Sequence, residues 1–229
     1  MIKLLIPCVV LLISCKYTQI YETTPSTKGI TSDKYFVFEN DTVKIKYSFW
    51  GESGSTYAYS FTNKLNIPLY IDWKKCSFIK NGAKYNYWED ITISKSTTST
   101  WLFLGDFDLS TQFRKEISTR PERITFLAPK SAITRVWYSI YPFETSSISG
   151  KTCKLPINGS KKSQEVKCQD FTEENTRLKF RNFMTISTTE KFEKEYYIDN
   201  EFYVSKIYQM KNGAFAPILF EKPTWFYFQ

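Results

Sequence analysis

Val43-Lys44-Ile45-Lys46-Tyr47-Ser48-Phe49 alternates without a break, with apolar residues on the odd positions and polar ones on the even. Period two is the signature of a strand that buries one face and wets the other. Gly51-Glu52-Ser53-Gly54-Ser55 then turns the chain, and Tyr57-Ala58-Tyr59-Ser60-Phe61 repeats the alternation as its hairpin partner. Asn63 to Pro68 make a second turn, and Leu69, Ile71 and Trp73 share one face of the next strand. Ser77-Phe78-Ile79 follows. Asn81-Gly82 is the strongest hairpin signal in the chain, because both residues tolerate the positive φ of a type I′ turn. It leads into Lys84 to Trp88.

Further strands are expected at 123–127, 133–141, 178–187, 201–210 and 224–228. Turn signals recur about every ten residues, and only 107–120 has the look of a short helix. The fold class is therefore all-β: an antiparallel two-sheet sandwich, immunoglobulin-like, with a long polar insertion around 92–122. Composition agrees. Aromatics make up 18% of the 229 residues, threonine occurs 24 times and alanine only six. Such side chains suit a pleated, half-buried surface.

The chain contains no histidine. That excludes a Ser-His-Asp triad, a Cys-His pair and any histidine-ligated metal or haem. No cofactor and no metal site is expected.

The first fifteen residues read as an address. Met1-Ile2-Lys3 is a short positive start, and Leu4 to Ile13 is an apolar run too short to span a bilayer but of signal-peptide length. Leu12-Ile13-Ser14-Cys15 resembles the bacterial lipobox, in which the cysteine thiol takes a diacylglycerol and becomes the acylated first residue. The expected organisation is a lipoprotein signal peptide over 1–14 and a polar tether over 15–34. A single β-sandwich domain over 35–229 completes it. The formal net charge of +8 would ordinarily raise nucleic acid as a partner. Export removes that reading, and anionic headgroups or acidic glycans take its place.

An exported chain lies where disulfides persist. Cys76, Cys153 and Cys168 allow three pairings, and sequence alone does not choose among them. The expected bridge is Cys153–Cys168, around a Gly-, Pro- and Lys-rich loop, with Cys76 left as a small buried hydrophobe.

Three stretches carry a family resemblance: Val43 to Trp50, Thr62 to Trp73, and Asn200-Glu201-Phe202-Tyr203-Val204. Together they resemble a group of uncharacterised lipoproteins of Bacteroides-type bacteria. The resemblance implies an outer-membrane lipoprotein and supplies no catalytic residue. Surface-displayed members of such groups carry acidic residues just after the cysteine. Lys16-Tyr17-Thr18-Gln19 departs from that, which implies the periplasmic face.

Among individual residues, Trp101, Phe103, Asp106 and Asp108 form a candidate binding surface inside the 92–122 insertion. Asp72 beside Trp73 has the makings of a sugar grip. The plainer reading puts Trp73 in the core and Asp72 on the solvent face. The segment 151–167 holds five lysines against Glu165 and suits lipid headgroups, an acidic partner or plain solvation. The aromatic tail 223–229 reads as a last core strand or, equally, as a strand offered to a partner's sheet edge. The functional expectation is a membrane-anchored, periplasm-facing lipoprotein that binds an envelope protein or has a structural role, without catalysis. A glycan-binding module is the alternative, and a carboxylate-based glycoside hydrolase ranks below it.

Overall fold

The computed structural model describes residues 17–51, 54–90, 93–99, 113–119, 121–138, 140, 147–211 and 219–228. It is built from two main antiparallel sheets and a separate two-stranded ribbon. The smaller has five strands in the order β12 (Ala132–Tyr138), β5 (Gly54–Asn63), β4 (Val43–Gly51), β3 (Phe36–Glu39) and β2 (Ile30–Ser32). The larger has ten. Its central path runs β11 (Ile124–Leu127), β6 (Leu69–Asp72), β15 (Lys179–Ser187), β16 (Tyr196–Lys211), β1 (Tyr17–Pro25) and β17 (Trp225–Phe228). β7 (Ser77–Lys80) joins β15 and carries β8 (Ala83–Asn86), while β14 (Ser163–Asp170) joins β16 and carries β13 (Lys151–Pro156). The sandwich is larger than the seven to nine strands of an immunoglobulin domain.

The alternation read from Val43 to Phe49 faces the large sheet. Val43, Ile45, Tyr47 and Phe49 are buried, and Phe49 meets Phe180 and Phe202 edge-on at 5.0 and 5.2 Å. Tyr57 packs on Phe78 at 4.8 Å. The Asn81-Gly82 turn takes positive φ at both residues, 45° and 81°, and joins β7 to β8 as a two-residue hairpin. Gly54, at φ +110°, lets the β4–β5 turn press on β17, since a Cβ there would stand 2.5 Å from the Tyr227 carbonyl oxygen.

A polar knot crosses the middle of this core. The Tyr47 hydroxyl accepts from the side-chain amides of Asn182 (3.0 Å) and Asn200 (2.8 Å), and Tyr87 donates to Asn182 Oδ1 at 2.9 Å. Each of these residues is buried. The knot links a β4 residue to β15 and β16, so it fixes how the sheets face each other as well as satisfying buried polar atoms.

The expected tether over 15–34 is corrected. Residues 17–25 are β1, held between β16 and β17, with Thr18, Gln19, Ile20 and Tyr21 buried. The stretch looks polar because its polar side chains are satisfied inside the sheet: Gln19 Nε2 donates to Gln209 Oε1 at 2.8 Å, and Tyr21 donates to Gln19 Oε1. Both faces of β1 are covered. Tyr21 joins the core between the sheets, and Ile20 joins a second cluster on the opposite face with Leu155, Val166, Cys168, Tyr208 and Phe220.

The insertion around 92–122 carries structure of its own. β9 (Ile93–Ser99) and β10 (Phe113–Thr119) pair as an antiparallel ribbon. The helix expected over 107–120 is therefore a strand from 113 to 119. Phe113, Ile117 and Thr119 are aromatic or β-branched, the residue types that favour a strand. Cys153 and Cys168 are joined as a disulfide across β13 and β14, with Cα atoms 6.0 Å apart.

Two outcomes follow from the core. Tyr47→Phe leaves two buried amides without their acceptor, so the stability read from urea unfolding should fall by about 2 kcal/mol, with the circular dichroism spectrum unchanged. Burial holds the Tyr47, Tyr57 and Tyr87 hydroxyls protonated well above the ordinary 10.0. Unfolded tyrosines ionise near 10, so stability is intact below that pH and falls as pH climbs past it. The phenolate absorbance of these three should therefore appear only together with unfolding in an alkaline titration; ionisation of all sixteen tyrosines near pH 10 in the folded protein would contradict this.

Candidate functional site

The outward face of the large sheet carries the most functional-looking surface. Successive residues of a strand point to opposite faces, so Phe183 of β15 and Tyr197 and Asp199 of β16 turn away from the core that holds Phe180, Met184, Ile198 and Phe202. Phe183 and Tyr197 stack at 5.8 Å with 22° between their planes, and Tyr197 stays 61% exposed. Two strands away, Phe126 is 55% exposed and meets the Tyr70 ring edge-on at 5.7 Å.

Charged groups frame the Tyr197 ring. Its hydroxyl donates to Glu195 Oε2 at 2.8 Å, and the other oxygen of Glu195 pairs with Lys75. The Lys75 ammonium, then the Tyr197 hydroxyl, hold the Glu195 carboxyl below its usual range, and Glu195 in turn raises both partners. Across the strand, Arg181 Nε pairs with Asp199 at 2.8 Å. Arg181 also lines a hollow of about 250 Å³ with Ile79, Asn81, Thr176 and Glu201. The patch thus combines an open aromatic face with carboxylate, ammonium and guanidinium groups at its rim. Such a surface can stack on the apolar face of a ring and hydrogen-bond its substituents.

The sequence missed Tyr197 because it placed the start of this strand at Glu201. Inward Ile198, Asn200, Phe202 and Val204 alternate with outward Tyr197, Asp199, Glu201 and Tyr203. The charged run Lys191-Phe192-Glu193-Lys194-Glu195 hides where that alternation begins.

Asp72 and Trp73 are not a sugar grip. Trp73 is buried, donates its indole N–H to Thr125 Oγ1 at 2.8 Å and meets Tyr87 edge-on. Asp72 was expected on the solvent face and is instead 1% exposed. β6 has β11 on one side and β15 on the other, and the chain turns into a 3-10 helix at Trp73–Lys75. Asp72 caps that turn through the Lys74 N–H and receives Arg123 at 3.2 and 2.9 Å. Its role is to fix the β6–β7 connection.

Cys76 is buried, with its thiol donating to the Asp72 carbonyl at 3.1 Å and its pKa pushed up to about 12 by burial. Trp101, Phe103, Asp106 and Asp108, together with Cys15, lie outside the described residues. Among the described residues no group of three or more Cys, Asp or Glu side chains is placed to hold a metal ion, and no helix is long and apolar enough to cross a membrane.

A second concavity lies at the other end of β16. An open groove of about 590 Å³ is lined by Tyr17, Thr152, Val166, Lys167, Met210 and Lys211, where β1 begins beside the β13–β14 hairpin. In comparisons with known proteins, no family model, no curated protein and no solved structure matches this chain.

The Cys76 geometry yields a direct check. In the folded, unreduced protein at pH 8 a thiol reagent should leave Cys76 unmodified for hours and label it at once in denaturant. Rapid labelling of the native protein would mean that the site opens.

Proposed function

We propose that this chain is a lipoprotein acylated at Cys15 and held at the periplasmic face of the outer membrane, where its β-sandwich binds another envelope component rather than catalysing a reaction. The observation that carries the reading is the lipobox-like Leu12-Ile13-Ser14-Cys15 with β1 opening at Tyr17, so that Lys16 alone stands between the lipid-bearing residue and the sheet. Several acyl chains on one cysteine give lasting attachment. Their position would be fixed relative to the sandwich, because Tyr17 is registered against Lys211. The Cys153–Cys168 bridge supports an oxidising compartment. The resemblance to lipoproteins of Bacteroides-type bacteria and the run Lys16-Tyr17-Thr18-Gln19, without an acid just after Cys15, support the membrane and its face.

One observation favours a second reading, a glycan-binding module: the open Tyr197 ring with Glu195, Lys75, Arg181 and Asp199 at its rim. Aromatic platforms edged by charged hydrogen-bonding groups match the apolar faces and hydroxyls of sugar rings. Under this reading the bound envelope component is a polysaccharide.

Cys15→Ser should release the protein from the membrane fraction, and the intact mass of the wild type should exceed that of the 15–229 polypeptide by its acyl groups. Membrane retention unchanged in the variant would overturn the lipoprotein reading. For the glycan reading, Tyr197→Ala should weaken binding to an array-identified polysaccharide at least about tenfold without moving the melting temperature, since the ring is mostly exposed.

A further inference from the structure

We infer that the end of the large sheet where β1 begins is a docking surface for anionic phospholipid headgroups, so that the sandwich stands on the leaflet that holds its anchor. The inference rests on the proposed acylation for its geometry, and it deepens that reading by naming which end faces the lipid.

The registers place the parts. Lys167 is level with Gln209, and Gln209 with Gln19. Two residues further along, Tyr17 is paired with Lys211, and β13–β14 carries its Lys154–Glu165 row to the same level. The last paired row of the hairpin, Pro156–Ser163, stands two residues beyond that, about 7 Å at the rise of a strand. Its tip, with Lys161 and Lys162, projects further still. Five exposed lysines, Lys154, Lys161, Lys162, Lys167 and Lys211, therefore gather around the point where the chain emerges from Lys16 and Cys15. None of the five is ion-paired with a described residue, and Glu165 is the one acid among them. The groove between them is floored by Val166 and Met210 and edged by Tyr17, which is 37% exposed and amphipathic in the way of residues at a membrane–water boundary.

The other end of β16 gives the contrast. Roughly 50 Å away at the rise of a strand, Lys191 and Lys194 alternate with Glu190, Glu193 and Glu195. Even Lys151, at the far end of the hairpin, is neutralised by Asp170, which also pairs with Lys206. Five lysines against the single Glu165 thus leave a local excess of positive charge where the anchor would enter. Ammonium groups within about 10 Å of an anionic leaflet are attracted to it, and salt weakens that attraction.

The test uses the mature protein reconstituted in vesicles of phosphatidylcholine alone, or of phosphatidylcholine with phosphatidylglycerol. Amine labelling is read lysine by lysine in the mass spectrometer. Labelling of Lys154, Lys161, Lys162, Lys167 and Lys211 should fall about fivefold in the anionic vesicles and recover at high salt, with Lys191 and Lys194 unchanged. Equal labelling in both vesicles, or protection at Lys191 and Lys194 instead, would overturn the inference. The intact mass reads acylation separately. If Cys15 carries no lipid the proposed function falls, while the same labelling with excess anionic vesicles still decides the surface: salt-sensitive protection of these five supports it, and its absence sinks it.

Discussion

One flank of the large sheet, from β16 to β17, depends on the pairing of β1 with strands near the other end of the chain. Residues 17–25 lie against 202–211 on one side, and residues 19–22 lie against 225–228 on the other. Without β1, β17 has no place in the sheet. β16 would lose its partner along more than half its length, and Gln209 would lose the Gln19 amide. A contact between strands about 190 residues apart must close a very long loop, and such non-local pairing slows folding. The same pairing governs function as proposed here. A chain acylated at Cys15 with a strand beginning at Tyr17 has no slack, so the orientation of the sandwich relative to the bilayer is a property of the fold.

Around this pairing the large sheet is buried on both faces at one end and exposed on one face at the other. Near β1 and β14 a second cluster of Ile20, Leu155, Val166, Tyr208 and Phe220 covers the outer side. Toward Tyr196 that cover stops, and the outward residues become Tyr197, Phe183 and their charged rim. One strand of sixteen residues thus serves a packed, basic end and an open aromatic face. The chain has no histidine; burial drives Tyr47, Tyr57, Tyr87 and Cys76 upward, and lysine partners drive Glu39, Asp170 and Glu195 downward. The carboxylate contributions are present above the ordinary acid range and fade only as pH falls through it. Neither set places a charge change between pH 5 and 8, where histidine would normally act.

Much of the fold was legible because it obeys period two. Val43 to Phe49, Tyr57 to Phe61 and the Asn81-Gly82 turn stand where their patterns put them, since each buries one face and wets the other. The patterns failed where burial is two-sided or polar. β1 reads as a tether because Thr18, Gln19 and Thr23 are polar, yet their partners lie near the other end of the chain, at Gln209 and Thr224. Asp72 reads as solvent-facing because alternation says nothing of Arg123, which arrives from the bend just before β11. The candidate patch was half hidden for a related reason. Glu193 to Glu195 look like loop, and only the pairing of Tyr197 with Thr185 shows that the strand has already begun.

The central claim is that residues 17–25 are a structural strand and leave no flexible spacer after Cys15. Native-state hydrogen exchange of the backbone amides in that segment tests it most directly. The account predicts that the amides of Ile20 and Tyr21 exchange only at the rate of global unfolding, as slowly as those of Phe202 and Val204 in β16. Exchange of 17–25 within seconds, while β16 stays protected, would show a tether and contradict it.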